Sequence, residues 1–247
     1  MKTKQTNPIL FLLLLAFLNC QCFLNFNCIT KEGNIESRII DIESVEGFSI
    51  HSVTHLILKE GSRQEIVLET YPNIADKMIE DSYVRNGVYH LNIDGCVRGI
   101  NENEIRVTAT IPKLASLNVS GSGSVENQGT FRNVESLNIS VSGSGNIQLN
   151  LGDDVENILT AVSGSGEIDL KGETENFDIR ISGSGKIRGL DLISQQCKVS
   201  VSGSGNCAVF AEESLGVAVS GSGNVCYQGN AKVQSNISGS GNVGQCE

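Results

Sequence analysis

Residues 137–149 read LNISVSGSGNIQL, and the pattern within them predicts the architecture of most of the chain. Before the tetrapeptide SGSG, the apolar residues Leu137, Ile139 and Val141 alternate with polar ones, and Ile147 continues the alternation after it. A period of two puts these side chains on one face of an extended backbone, whereas the spacings of three and four that mark a helix find no match. The stretch therefore predicts two β-strands joined by a bend at SGSG.

The same pattern recurs along the chain. Counted from the first serine of each SGSG, apolar residues stand at offset −1 and offset +5 in every copy, and at offset −5 in copies two to seven. A flexible Ser/Gly linker would not need these flanking apolar residues. The copies lie 18, 19, 20, 21 or 22 residues apart, which is the length of one solenoid coil. They begin at Ser120, Ser142, Ser163, Ser182, Ser202, Ser220 and Ser238.

One such coil cannot bury its apolar face alone, so neighbouring coils must stack about 4.8 Å apart and share backbone hydrogen bonds. We therefore predict an all-β chain in which residues 114–247 form a parallel β-helix, right-handed as parallel crossovers usually are. The two glycines of each SGSG either lie where opposite walls of the coil approach or form a corner with backbone angles that other residues avoid. We favour a mixture, with strand up to the first serine and a tight bend after it, which leaves the serines facing outward.

Residues 39–113 are less regular but still rich in strand signals. A short helix is expected over residues 73–81, and Pro112 marks an edge or a turn at the junction with the repeats. We interpret this lead-in as wider initial coils that cap the solenoid, and a separate sandwich domain is the alternative. Residues 23–38 are interpreted as a linker. The strand signals lie at residues 48–50, 56–58, 66–68, 88–93 and 105–109.

The first residues carry an export signal. Two lysines precede an apolar run at residues 9–18 that is too short to span a bilayer, which predicts a secretory signal peptide over residues 1–22. Cys20 follows the run where a lipoprotein carries its acylated cysteine, although the three preceding residues depart from the usual pattern. Cleavage after Cys22 is the alternative. We expect export to the cell envelope (outer membrane or periplasm) or the extracellular space, with membrane contact only through a lipid on Cys20.

Taken together, these features resemble the "putative autotransporter adhesin head GIN domain" family of exported bacterial proteins. The resemblance is carried by Ile-Pro-Lys-Leu at residues 111–114, by the serial SGSG coils, and by YQGNAKV at residues 227–233 before the last SGSG. It covers about residues 40–245 and implies a β-helical envelope or secreted protein with an adhesin-like role. The family assigns no catalytic residues, so none is transferred to this chain.

Charge and chemistry narrow the function classes. The chain has 18 basic and 28 acidic residues, a net charge of −10, and no Lys/Arg cluster, which argues against nucleic acid as a partner. His51, His55 and His90 lie in the lead-in and are interpreted as surface or strand residues, because too few ligands accompany them for zinc. We expect no catalytic residue, no cofactor and no metal site.

Two acidic pairs are candidates for the carboxylates of a carbohydrate-cleaving β-helix. Asp153–Asp154 and Glu212–Glu213 fall in expected loops between coils, and few aromatic residues follow Ser120, so solvated turns are the simpler interpretation. Calcium-binding β-rolls, which also have glycine-rich repeats, hold calcium ions in a column. Here Lys186 stands at offset +4 in the middle of the corresponding ladder, and its positive charge argues against such calcium sites. The favoured function is non-enzymatic adhesion or ligand binding, with a surface glycan or protein as the unknown ligand. A polysaccharide-active enzyme and a purely structural module are the alternatives.

The cysteines and the last coil raise the question of association. The six cysteines beyond the signal allow 15 pairings, and the core offsets of two of them suit buried thiols as well as disulfides. A solenoid leaves backbone groups unpaired at its terminal coils, so we expect a homo-oligomer with Cys246 as a crosslink. The alternative is a chain that folds over its own open coil. The six are Cys28, Cys96, Cys197, Cys207, Cys226 and Cys246.

Overall fold

The structure is a computed structural model and describes residues 28–246. Strands dominate these residues, with one α-helix and one short 3-10 helix, Glu102–Glu104, among them. The elements are β1 Ile29–Thr30, β2 Glu36–Ile40, β3 Gly47–Ile50, β4 His55–Glu60, β5 Glu65–Thr70, α1 Pro72–Asp81, β6 Tyr83–Arg85, β7 Val88–Leu91, β8 Val97–Arg98, β9 Arg106–Ile111, β10 Ser116–Gly121, β11 Ser124–Asn127, β12 Ser136–Gly143, β13 Asn146–Asn150, β14 Val155–Gly164, β15 Glu167–Gly183, β16 Lys186–Gly203, β17 Asn206–Gly221, β18 Asn224–Gln228, β19 Lys232–Gly239 and β20 Asn242–Gln245.

The SGSG copies stack in register, which confirms the predicted parallel solenoid. Every pairing from β10 to β20 is parallel, and the coils form a solenoid of about six turns. The apolar residues at the odd offsets line the interior, as at Leu137 and Val141, which are each 1% exposed. The first serines pair in one unbroken ladder of Ser120, Ser142, Ser163, Ser182, Ser202, Ser220 and Ser238.

The two glycines of each SGSG have different roles. The first has a left-handed backbone, as at Gly143 with φ +131°, and a Cβ there would lie 2.6 Å from the carbonyl oxygen of Gly121 in the preceding coil. The second has no positive φ; a Cβ on Gly145 would collide with Cγ1 of Val119 and with the carbonyl oxygen of Gly123. The first glycine therefore forms the predicted corner, whereas the second is required by close contact with the same corner of the preceding coil and not with an opposite wall.

The sheets of the repeats continue into the lead-in. Strands β3 and β4 pair in parallel with β10 and β11, and β7 and β9 pair in parallel with the far edges of β3 and β4. Strands β3 and β4 therefore form one coil next to the repeats. The chain then leaves this coil, and β7 and β9 stack on its side away from the repeats. Beyond this coil, β5 runs antiparallel to β9 and β2, and β6 runs antiparallel to β7.

The predicted lead-in elements are present in the structure. All five strand signals coincide with β3, β4, β5, β7 and β9, and the expected helix is α1, whose residues Ile74 and Met78 are fully buried. Part of the segment interpreted as a linker is paired, since β1 pairs with β8, β2 pairs with β5, and Cys28 forms a disulfide with Cys96. The domain limits themselves stay a prediction. The predicted signal peptide at residues 1–22, with Cys20 and Cys22, lies outside the described residues.

The described cysteines beyond Cys28 and Cys96 are also placed. Cys226 forms a disulfide with Cys246, while Cys197 and Cys207 are buried free thiols. The expectation that Cys246 crosslinks two copies is therefore wrong, because its sulfur is bonded within the chain. The pairing brings the residues after β20 back onto β18, where the Cys246 N–H also donates to the carbonyl oxygen of Tyr227 at 3.0 Å.

Candidate binding surface

Three polar ladders cover the outside of the last four coils, on the strands that precede SGSG. Because the odd offsets point inward, the even offsets −6, −4 and −2 point outward, and the register stacks them in columns. We call this surface the lateral face. Its columns are Asn176, Gln196, Ser214 and Lys232; Asp178, Lys198, Gly216 and Gln234; and Arg180, Ser200, Ala218 and Asn236.

The lateral face is concave. A depression of about 810 Å³ lies over all three columns, and it deepens at Gly216 and Ala218, whose side chains are shorter than their neighbours'. A second depression, of about 480 Å³, shares Ser200, Ala218 and Asn236 with the first and continues across the serine ladder. The two form one groove that crosses several coils along the solenoid axis.

Hydrogen-bonding groups and positive charge characterise the groove. The exposed amides of Gln196, Gln234 and Asn236 can each donate and accept. Arg180 forms an ion pair with Asp178, at 3.5 Å. Within residues 28–246, Lys198 and Lys232 have no carboxylate within 4.0 Å, so two uncompensated cations lie on a chain whose net charge is −10. Two coil steps, roughly 10 Å, separate them along the axis.

The structure brings two of the three histidines, His51 and His90, close together. Nε2 of His51 lies 3.5 Å from Nδ1 of His90 and 3.1 Å from Oγ of Ser49, because β3 pairs with β7. Burial lowers the pKa of His90, and the neighbouring His51 and Arg85 lower it further. His55 lies apart and contacts Glu126 at 3.3 Å. No local pattern in the sequence predicts the pairing of β3 with β7 that brings these histidines together.

Asp153 and Asp154 lie in the turn between β13 and β14, as expected, whereas the expectation of a loop at Glu212 and Glu213 is wrong, because both lie within β17 where its register with β16 shifts. Asp153 and Asp154 line a small depression of about 220 Å³ with Glu156, Glu173 and Glu175. Glu212 accepts a hydrogen bond from Nδ2 of Asn230, at 3.3 Å. In the described part of the chain, no group of three or more His, Cys, Asp or Glu side chains is arranged to hold a metal ion.

The column at offset +4 forms part of the opposite flank. Nδ2 of Asn224 donates to Oδ1 of Asn206 at 3.2 Å, so the asparagines form a short structural ladder there. Arg188, two residues after this column, forms an ion pair with Glu167 of the column, and a depression of about 510 Å³ is lined by residues that include Lys186 and Leu190. Among the described residues, Lys186 has no carboxylate within 4.0 Å, so this flank also carries an unpaired cation.

Several solved structures share this fold. A protein described as "a putative adhesin" from Bacteroides fragilis is similar with a TM-score of 0.76 and 18% identity, over 88% of this chain and 100% of that one. A "putative lipid binding protein" from Parabacteroides distasonis matches with a TM-score of 0.70 and 21% identity, over 89% and 99% of the two chains. A "putative adhesin" from the same species gives 0.66 and 22%, over 89% and 100%.

No curated protein matches the chain. The model of one family, described as "Putative auto-transporter adhesin, head GIN domain", matches residues 46–231, which span all the coils from β3 to the end of β18. The solved structures share the fold that this match implies. The chain therefore belongs to the family of the putative auto-transporter adhesin head GIN domain.

Proposed function

We propose that this protein is a non-enzymatic, exported surface protein that binds a carboxylated polysaccharide in the groove of its lateral face. The observation that carries the proposal is the pair of unpaired lysines, Lys198 and Lys232, in a groove whose lining also includes exposed amides and hydroxyls. The adhesin names of the family and of two neighbouring structures support a surface-binding role. The polysaccharide as ligand is our own inference from the lateral face.

The repetition of the groove suits a repetitive ligand. Successive coils are about 4.8 Å apart along the axis, so a polymer laid along the groove meets a polar side chain of each column at every coil except at Gly216 and Ala218. Amides both donate and accept hydrogen bonds, as sugar hydroxyls do. Apart from Gly216 and Ala218, the outward side chains of the three columns are polar, which suits a hydrated polymer.

The lysines add selectivity for negatively charged sugars. Both lie on exposed strand positions, so each ion pair with a sugar carboxylate contributes at most about 1 kcal/mol, and salt weakens it. Two such contacts of about 0.7 kcal/mol each amount to roughly tenfold in affinity. Hydrogen bonds from the amides then supply the part of the binding that salt does not remove.

Binding of polygalacturonate and of its fully methyl-esterified form, measured by calorimetry, tests the proposal. We expect the acidic form to bind more tightly, and the double variant Lys198→Gln/Lys232→Gln to lose roughly tenfold in affinity for it. The control Lys59→Gln/Lys186→Gln has the same net charge but leaves the lateral face intact, and it should bind as the natural protein does. Equal affinities for both polymers, or equal losses in both variants, would contradict the role of the lysines.

A second variant tests the groove independently of charge. A Cβ on Gly216 would meet no atom within 4 Å, so Gly216→Phe should fold normally and fill the depression. We expect it to abolish polymer binding. Ala208→Phe, on the opposite flank, is the matched control and should bind normally. If Gly216→Phe binds as well as the control, the polymer does not lie in this groove.

We further propose that the protein is exported through the signal at residues 1–22, with Cys20 as the lipid attachment site. Among residues 28–246, no helix is long and apolar enough to cross a membrane. The intact mass of the protein purified from its native host tests this proposal. A diacylglyceryl mass on Cys20 is expected, a plain N-terminus near Phe23 would mean simple secretion, and retention of Met1 would contradict export.

A further inference from the structure

We propose that the open C-terminal end of the solenoid is covered by a second copy of this chain, with β19 of the two copies paired antiparallel about a two-fold axis at Ser235. The proposal is independent of the ligand. It follows from the state of the last coil, from the direction of its free backbone groups and from the sequence of β19.

The last coil exposes what the other coils bury. Val233 and Ile237 occupy the core offsets −5 and −1 of the last SGSG copy, and they are 38% and 41% exposed. One coil earlier, Leu215 and Val219 at the same offsets are 1% and 2% exposed. Among residues 28–246, β19 pairs only with β17, so its other edge is unpaired. An open core and a free strand edge at one place invite another strand.

The rest of the described chain is held away from this edge. The disulfide between Cys226 and Cys246 ties the residues after β20 to β18. Strand β20 itself pairs with β18 on the wall that follows SGSG, whereas β19 lies on the wall that precedes it. Neither can fold across Val233 and Ile237 without leaving these partners.

The free backbone groups of β19 point outward at its odd-numbered residues. In the stack, residues at even offsets direct their backbone toward the preceding coil, as Asn138 does when its N–H donates to the carbonyl oxygen of Ala115 at 3.0 Å. Gln234 has the same offset in the last copy. Because successive residues of a strand alternate, Val233, Ser235 and Ile237 direct both N–H and C=O toward the open edge.

These three residues make β19 self-complementary. When the axis passes through Ser235, Val233 lies opposite Ile237 of the second copy, so each apolar side chain meets another in the extended core. The three opposite pairs that this register forms are all of the hydrogen-bonded kind. Shifting the strands by one residue would place inward side chains against outward ones, and shifting by two would set Ile237 against Ser235.

The outward residues permit the same register. Gln234 lies opposite Asn236 of the second copy, which pairs two amides. Lys232 is the one charged residue of β19, and it lies opposite Ser238 of the second copy, so no like charges meet. The outer faces of the two strands are continuous, and the lateral grooves of both copies therefore lie on one surface.

Mixed disulfide formation tests the register directly. We would prepare Gln234→Cys and Asn236→Cys as separate proteins and oxidise them alone and as a mixture. Positions 234 and 236 of different copies face each other, whereas neither faces itself, so the mixture should form a crosslinked dimer and each variant alone should not. Crosslinking of Gln234→Cys alone, or no crosslink in the mixture, would overturn this register.

Light scattering at micromolar concentration tests the association itself. The natural chain should be a dimer, and Ile237→Lys should raise the dimer dissociation constant about 100-fold or more, because it buries two unpaired charges at the contact. Ile79→Lys, a matched substitution of an exposed isoleucine on α1 at the other end of the chain, should leave the dimer intact. A monomeric natural chain, or a dimer that survives Ile237→Lys, would overturn the proposal.

Discussion

A Cβ atom on Gly183 would lie 2.7 Å from the carbonyl oxygen of Gly164, the equivalent glycine of the preceding coil. Backbone, unlike a flexible side chain, cannot move aside here, since that oxygen accepts the hydrogen bond of Ser184 N–H that holds the two coils together. Gly183 also has φ +121°, a conformation that L side chains rarely adopt. The first glycine of SGSG is thus required for two reasons: its own backbone is left-handed, and the backbone of the preceding coil leaves no room for a Cβ atom.

We expect Gly183→Val to lower the free energy of unfolding by about 2–4 kcal/mol, from the left-handed backbone and the steric clash together. Gly164→Val should behave alike. Ser165→Ala, an exposed substitution in the same ladder, should change it by no more than about 0.5 kcal/mol. Urea denaturation of the three variants measures the difference. Similar midpoints for Gly183→Val and Ser165→Ala would contradict this account of the glycines.

The second glycine of SGSG should behave differently when its neighbour is made smaller. A Cβ on Gly185 would collide with Cγ1 of Val162, a side chain, in addition to a looser contact at 3.1 Å with the carbonyl oxygen of Gly166. Val162→Ala should therefore compensate part of the destabilisation caused by Gly185→Ala, and it should not compensate that of Gly183→Ala. Double-mutant cycles in urea measure both couplings. If Val162→Ala coupled equally to Gly185→Ala and to Gly183→Ala, the side chain of Val162 would not be the specific obstacle at Gly185.

The repeat region could be predicted from sequence because its signals are local. The alternation around Val141 places strand and core, and the equal spacing of SGSG requires every coil to stack in the same register. The lead-in is different. The pairing of β3 with β7, which joins His51 to His90, depends on a chain that leaves one coil and returns to its far side, and no local pattern encodes that order.

The disulfides and the groove also depend on contacts that no local sequence pattern encodes. Offsets placed Cys197 and Cys207 in the core, but the disulfide of Cys226 with Cys246 depends on how the last coil closes. The sequence pattern predicts that the serines of SGSG face outward, but it does not predict the columns of the lateral face. That Gly216 and Ala218 deepen it into a groove beside Lys198 becomes visible once the register of all four coils is fixed.

Glu104 should make stability depend on acidity. Its carboxylate accepts hydrogen bonds from Nζ of Lys31 at 2.7 Å, from the hydroxyl of Tyr71 at 2.9 Å and from the N–H of Asn101 at 3.1 Å. These partners, Lys31 first, lower the pKa of Glu104 to about 2 from its usual 4.5. A depressed carboxyl pKa stabilises the fold fully above the unfolded value, and this stabilisation is lost as the pH falls through the folded one.

We therefore expect Glu104→Gln to be less stable than the natural chain above about pH 4.5, with the difference shrinking as the pH falls toward about 2. Thermal unfolding followed by circular dichroism over this range measures it. Glu65→Gln, an exposed substitution on β5, is the control and should keep the acid dependence of the natural chain. A gap between Glu104→Gln and the natural chain that stays constant with pH would mean that the carboxylate charge is not what stabilises this contact.

The two free thiols should resist modification in the folded protein. Burial raises the pKa of Cys197 to about 12 and raises that of Cys207 well above its usual range. Because the thiolate is the reactive form, iodoacetamide at about pH 8 should leave both unmodified until the protein is unfolded. Mass spectrometry of labelled peptides checks this, with Ser165→Cys as an exposed control that reacts at once. Labelling of Cys207 in the native state would show that the core opens at this coil.

The disulfide between Cys226 and Cys246 should stabilise the last coil locally. It closes a loop of 20 residues around β19 and β20, and a loop of that size contributes about 3 kcal/mol in the chain-entropy account. Because β19 pairs on one side only within residues 28–246 of its own chain, its hydrogen bonds in the monomer depend on this link more than those of a coil with two neighbours. In Cys226→Ser/Cys246→Ser, amide hydrogen exchange should therefore accelerate over residues 232–245 and stay unchanged in β12 and β14.

The matched variant Cys28→Ser/Cys96→Ser should accelerate exchange at β1 and β8 and leave β19 protected. Faster exchange throughout the solenoid in the first variant would mean that the coils unfold as one cooperative unit instead of from the open end.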